Sequence, residues 1–63
     1  MLIYMIKSSG GNYLKSYQQN GNDTYTATWT TTAANGKVFF AWSEVAEVAA
    51  KVGGTILKFK LEA

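Results

Sequence analysis

Acidic side chains that could exchange protons are few in this 63-residue chain. Glu44 and Glu47 stand three residues apart in a helical pattern, so they would be neighbours on one helix face. Such a pair could act in general acid–base catalysis, but His, which most often does this work near neutral pH, is missing from the sequence. The positive end of a helix dipole also favours acids in the first turns. We therefore interpret the pair as a solvated helix face and predict no catalytic residue and no enzyme activity.

Nucleophiles and metal ligands are equally scarce. The four serines have no His to activate them, although Lys could serve in principle. Without Cys and His the chain lacks the ligands of a structural zinc site, and without Cys it forms no disulfide. Neither "SSGGN" nor "NGK" has the spacing of a loop that holds phosphate before a helix. The sequence thus predicts no metal and no cofactor.

Lysines and aromatic side chains point to binding rather than catalysis. Lys7, Lys15, Lys58 and Lys60 fall on predicted strands, among four Tyr and two Trp. Proteins that bind single-stranded nucleic acid combine a basic groove with aromatic rings that stack on bases. However, the chain has no Arg, and a net charge of +2 releases few counterions. Nucleic acid is therefore the alternative partner, and the sequence favours a protein.

The stretch "NYLKSYQQNGNDTYTATWTTT" is the best candidate for a contact surface because it is nearly uncharged and rich in Tyr and Thr. Tyr is enriched in protein interfaces. We predict a partner-binding face made of Tyr13, Lys15, Tyr17, Thr26 and Thr28. Two alternatives remain open: the Thr column could simply satisfy strand propensity on a solvated face, or it could mediate self-association as a structural component.

Three antiparallel strands in a meander are predicted to position this surface, over residues 2–7, 12–17 and 24–30. In the second strand, alternation puts Tyr13, Lys15 and Tyr17 on one face. Asn20-Gly21 is a strong hairpin signal, since both residues tolerate positive φ. In the third strand, strict alternation separates the Thr column from Tyr25, Ala27 and Trp29, and we expect Trp29 to pack in the core.

A helix is predicted to follow, in "SEVAEVAAKVGG". Its expected N-cap is Ser43, and its expected end is Gly53. One apolar stripe runs along it: Val45, Val48, Ala49 and Val52. Trp42 precedes the cap, and we expect it to fasten the helix to the sheet. "VFFAW" before it could be a strand end or the lead into the helix. "TILKFKLEA" alternates Leu57, Phe59 and Leu61 against Lys58 and Lys60 and reads as a last strand.

The order β-β-β-α-β predicts an α+β fold: a small single-layer antiparallel sheet with one helix packed on one face, as a single domain over residues 1–63. Small folds without disulfides often gain stability from a partner subunit, so a homodimer is a plausible state. No signal peptide is apparent, and no apolar run approaches the roughly 20 residues that span a bilayer. We expect a cytoplasmic protein that binds no membrane.

Several short motifs resemble those of small accessory proteins of phages and prophages of Gram-positive bacteria. The motifs are "YMIK", "NYLKS", "TWTT", a Phe, and a helix ending in Gly-Gly before a strand. The matching residues are Tyr4, Ile6, Lys7, Tyr13, Leu14, Lys15, Trp29, Thr30, Phe39, Val45, Val48, Ala49, Val52, Gly53 and Gly54. The resemblance implies a non-catalytic accessory protein whose partner is a host or phage macromolecule, which it could inhibit stoichiometrically. The chain departs from the pattern at Gly36 and in its Thr-rich third strand.

Overall fold

The computed structural model describes residues 1–21 and 24–60 and confirms the predicted α+β fold. Its elements are β1 (Leu2–Lys7), β2 (Tyr13–Asn20), β3 (Thr24–Thr30), a short 3₁₀ turn (Ala33–Asn35), α1 (Trp42–Val52) and β4 (Thr55–Lys60). Parts of the predicted hairpin turn and of the last strand, at 22–23 and 61–63, lie outside the described residues.

The sheet has the strand order β3-β2-β1-β4, with antiparallel neighbours throughout. The first three strands form the predicted meander. β4 returns from the helix to pair with β1 along its whole length, from Leu2↔Lys60 to Lys7↔Thr55. β1 is therefore an interior strand. The helix covers one side of the sheet, which we call the helix face, and the other side is the open face.

β1 and β2 pair directly only at Lys7↔Tyr13, and the chain at 37–39 fills the gap between them further along. Phe39 and Tyr4 exchange two backbone hydrogen bonds, each 2.8 Å. The Lys37 N–H donates to the carbonyl of Leu14 at 2.7 Å. "VFFAW" is thus a strand-like bridge before it leads into the helix, and Phe39 becomes part of the sheet.

The core lies between the sheet and α1. Its fully or nearly buried members are Tyr4, Ile6, Leu14, Phe39, Val45, Val48 and Ala49. Val52 and Trp29 are half-buried and pack against them. The predicted apolar stripe of the helix is confirmed, and so is the inward side of Trp29. Small Val and Ala side chains let the helix lie close to the sheet.

The helix begins two residues earlier than the predicted N-cap implies. Ala41, in extended conformation, is the N-cap, and the Val45 N–H already donates to its carbonyl at 3.1 Å. The prediction of Ser43 was wrong because the Tyr4–Phe39 bridge holds the chain extended only as far as Ala41. The end is as predicted: Gly53 has φ 79°, a left-handed conformation that favours glycine. Within the described residues, the helix is neither long nor apolar enough to cross a membrane.

Candidate binding surface

A bulge in β2 changes which of its side chains share a face. The register with β3 passes from Leu14↔Trp29 to Ser16↔Thr28, so Lys15 is an extra residue on β2. Because of this insertion Leu14 and Tyr17, three residues apart, both reach the helix face. The prediction that Tyr17 shares a face with Tyr13 was therefore wrong.

Tyr17 lies in an aromatic cluster beside the helix. Its ring stacks on Phe39 with centroids 6.1 Å apart and meets Tyr25 at 5.8 Å. The Lys37 ammonium lies 5.7 Å from the Tyr17 centroid, within the range of a cation–π contact. The Tyr17 hydroxyl donates to the Glu44 carboxylate at 3.3 Å. Tyr17 thus connects β2 to the core and to the first turn of α1, which is a structural role.

These surroundings give Tyr17 a pH signature. Burial raises the pKa of its phenol above the ordinary 10.0, and the Glu44 carboxylate adds to the shift. The unfolded chain then loses this proton first, so the contribution of Tyr17 to stability is intact below pH 10 and declines as pH rises through its folded pKa. We expect the wild type to lose more free energy of unfolding than Tyr17→Phe between about pH 8 and about pH 11. Urea titrations of both proteins would measure this, and equal losses would contradict it.

Three of the five residues predicted to bind a partner do share the open face. Thr26 and Thr28 are exposed and pair with Gln18 and Ser16, on the side of β3 opposite Tyr25, Ala27 and Trp29. Tyr13 is half-buried, with the Lys7 ammonium 5.7 Å from its ring centroid. Lys15 is exposed at the bulge. This half of the open face is polar.

The other half of the open face is apolar, and this half was not predicted from the sequence. Alternation along β1 directs Ile3 and Met5 away from the core residues Tyr4 and Ile6. Their partners on β4 are Phe59 and Leu57, which share their face. Four apolar side chains of two adjacent strands therefore stand together on the side away from the helix.

The bridging segment adds two more apolar side chains. Phe39 pairs with Tyr4 and points to the core, so alternation directs Val38 and Phe40 to the open face. Phe40 is 65% exposed, Phe59 42% and Val38 37%. We call Ile3, Val38, Phe40, Leu57 and Phe59 the open-face patch. A sequence signal did exist, since "LIYMI" is apolar at both parities, as in strands that are covered on both faces.

Met5 lies at the boundary of this patch and is nearly buried. Gly36, at the end of the 3₁₀ turn, lies against the Met5 terminal methyl and the Tyr13 Cβ. The turn therefore shields one end of the apolar strip and leaves the end around Phe40 and Phe59 open. The result is an apolar centre that adjoins the polar half of the same face.

A third exposed aromatic side chain lies on the helix face. Trp42, 57% exposed, meets the Tyr4 ring edge-on at 5.6 Å, which confirms the expected contact between the start of the helix and the sheet. On the adjoining strand, Lys58 pairs with Tyr4 and Lys60 pairs with Leu2. We call Trp42, Lys58 and Lys60 the Trp42 corner.

Among residues 1–21 and 24–60, no group of three or more acidic, His or Cys side chains is arranged to hold a metal ion. Within these residues, the open-face patch and the Trp42 corner are the two surfaces that carry exposed aromatic rings. No protein-family model matches the chain, and no curated protein or solved structure shows significant similarity to it.

Proposed function

We propose that this chain is a non-catalytic accessory protein that binds another protein through the open-face patch. The exposure of Phe40 carries the proposal. Its ring is 65% exposed on the same face as Phe59 and Val38. Burying a Phe side chain is worth about 1.5–3 kcal/mol, so leaving such rings in water forgoes a large stabilisation that a partner would recover. Contiguous exposed apolar patches of this kind mark interaction sites.

The arrangement of the open face supports this proposal. Stable protein interfaces have an apolar centre surrounded by polar residues that remain accessible to water. Here the patch provides the centre, and Tyr13, Thr26 and Thr28 provide a polar flank on the β2–β3 side. The resemblance to phage accessory proteins makes a host or phage protein the partner to test first. A protein that acts by occupying a surface would act stoichiometrically.

Capture by immobilised protein tests this function. Wild type, Phe40→Asp and Ser43→Asp would be incubated with lysate of a Gram-positive host, and retained proteins identified by mass spectrometry. An added carboxylate in the patch should reduce retention about 30-fold, the effect of losing roughly 2 kcal/mol at an interface. Ser43→Asp adds the same charge at the exposed start of the helix, on the opposite layer, and should retain the partner.

Circular dichroism would first establish that each variant is folded. Equal retention by folded Phe40→Asp and wild type would reject the open-face patch as the binding site. Untagged wild type should also be added to one sample. If the immobilised wild type retained neither a lysate protein nor this untagged copy, protein binding through the open face would be rejected.

A second candidate function rests on the Trp42 corner. Proteins that bind single-stranded nucleic acid stack bases on aromatic rings and contact phosphates with basic side chains. The exposed indole of Trp42 and the two strand lysines could fill these roles. Treating half of each lysate with nuclease separates the two functions. If retention by the wild type disappeared after nuclease treatment, and retention by Trp42→Ala were absent even without nuclease, nucleic-acid binding would be favoured. Retention in both halves would favour the open-face patch.

A further inference from the structure

The apolar half of the open face has the composition of a buried surface. β1 directs Tyr4 and Ile6 into the core and Ile3 and Met5 to the opposite side. Strands with apolar residues at both parities are normally buried on both faces. Among the described residues, the turn at Gly36 covers Met5, whereas Ile3 stays partly exposed. Whatever covers the rest must match an apolar, almost uncharged surface.

The charges favour a second copy of the same chain. The described acids, Glu44 and Glu47, both lie on the helix, on the far layer. Lys58 and Lys60 pair with helix-face positions of β1. Among the described residues, alternation assigns Lys7 to the open face, where its ammonium lies over the ring of Tyr13, and Lys15 is exposed at the bulge beside the polar half. An acidic partner would therefore find few positive charges on this face to pair with. The uncharged apolar patch of a second copy matches it instead.

Lys7 does not oppose such self-association. It stands four residues from Ile3 along β1, a separation of about 13 Å in a strand. A two-fold axis through the patch near Ile3 would place the two Lys7 residues on opposite sides, about 26 Å apart at the same rise per residue. That distance exceeds the screening length of roughly 8 Å at physiological ionic strength, so their repulsion would be weak.

The dimensions also fit a dimer. The molecule measures 39 × 24 × 16 Å, so the whole open face, its polar half included, is about as large as the roughly 800 Å² per partner that stable complexes bury. Two sheets packed face to face lie about 10 Å apart, which would add a second apolar layer. A chain of this length has a small core of its own and gains stability from a partner subunit.

We propose that the open-face patch is covered by the same patch of a second copy, in a two-fold homodimer packed sheet to sheet. The inference rests on the proposed function and narrows its partner: a second copy would occupy the patch in place of a host or phage protein. Phe40 and Phe59 of each protomer would lie at the centre of the interface, and the two helices would lie on the outside.

Sedimentation equilibrium of the purified protein alone tests the dimer. The wild type should sediment as 13.8 kDa, twice the 6.9 kDa of one chain, with dissociation on dilution. Phe40→Asp should raise the dissociation constant about 100-fold and sediment as a monomer, whereas Ser43→Asp should remain dimeric. A wild type that is monomeric at every concentration, or a folded Phe40→Asp that stays dimeric, would overturn the proposal.

A second variant protects the test against misfolding of Phe40→Asp. The sequence has no Cys, so Val38→Cys, which keeps both Phe rings of the patch, carries a single thiol. A bismaleimide should join two copies of Val38→Cys and leave Ser43→Cys uncrosslinked. The reverse pattern would contradict the sheet-to-sheet arrangement. A monomeric wild type that still retains a different protein through Phe40 would reject the dimer alone and leave the proposed function intact.

Discussion

Phe39→Ala is expected to lower the free energy of unfolding by about 3–5 kcal/mol, the usual loss when a buried Phe is truncated. Phe39 is 1% exposed and is the largest of the fully buried side chains. Its ring stacks on Tyr17 and lies 5.3 Å from the Lys37 ammonium, and its backbone bonds to Tyr4. Native domains are stable by only about 5–15 kcal/mol, so a large fraction of the Phe39→Ala molecules should be unfolded. Urea titration followed by circular dichroism would measure the loss.

The adjacent residue provides the control. Phe40→Ala removes the same side chain one position along the chain, where it is exposed, and should change monomer stability by about 0.5 kcal/mol or less. Both variants should be compared at the lowest concentration that gives a signal, because association adds concentration-dependent stability. Similar losses for Phe39→Ala and Phe40→Ala would contradict the assignment of the two rings to opposite faces.

Gly54→Ala is expected to destabilise the fold by about 1–3 kcal/mol through overpacking. A Cβ at this position would overlap the Ile6 Cγ2 atom and would lie 3.2 Å from the Lys7 carbonyl oxygen. Ile6 is fully buried, so it has no room to retreat, and the carbonyl belongs to the backbone of the central strand. The Trp29 ring, 3.6 Å from the same point, closes the site from another side. Thermal unfolding would show the loss as a lower Tm.

Gly10→Ala is the matched control for this substitution. The nearest atom to its added Cβ is the Ser8 Oγ at 3.8 Å, an ordinary contact distance. Alanine there should leave stability unchanged or raise it by up to about 1 kcal/mol, since it restricts the unfolded chain. A Tm for Gly54→Ala equal to that of Gly10→Ala would mean that the turn at Gly54 can move away from β1 without loss of stability.

Local periodicity was enough to predict the elements. Strict alternation over Thr24–Thr30 predicted both the strand and its two faces, because a pleated strand without a bulge must alternate. The spacing of Val45, Val48, Ala49 and Val52 predicted the buried side of α1, because residues three or four apart lie on one side of a helix. Gly53 predicted where the helix ends. These features depend on residues close together in the chain, so the sequence contains them directly.

The binding surface required more than local pattern. Alternation along β2 predicted that Tyr17 shares a face with Tyr13, but the pairing with β3 contains a bulge at Lys15 that puts them on opposite faces. A bulge is decided by the register with a partner strand, and the alternation of one strand does not contain it. The predicted surface was therefore right for Tyr13, Thr26 and Thr28 as members of one face, and wrong for Tyr17. Whether that face binds a partner remains a prediction.

By itself the sequence determined the fold class, the helix stripe and the scarcity of groups for catalysis, because composition and periodicity are properties of the chain. Only the tertiary structure decided between Phe39 and Phe40. "VFF" offers two equivalent rings, and the backbone bridge to Tyr4, 35 residues away, turns Phe39 into the core and Phe40 out to the open face. Long-range pairing of this kind decides which side chains enter the core and which remain on the surface. It makes Phe39 a structural residue and leaves Phe40 available to a partner.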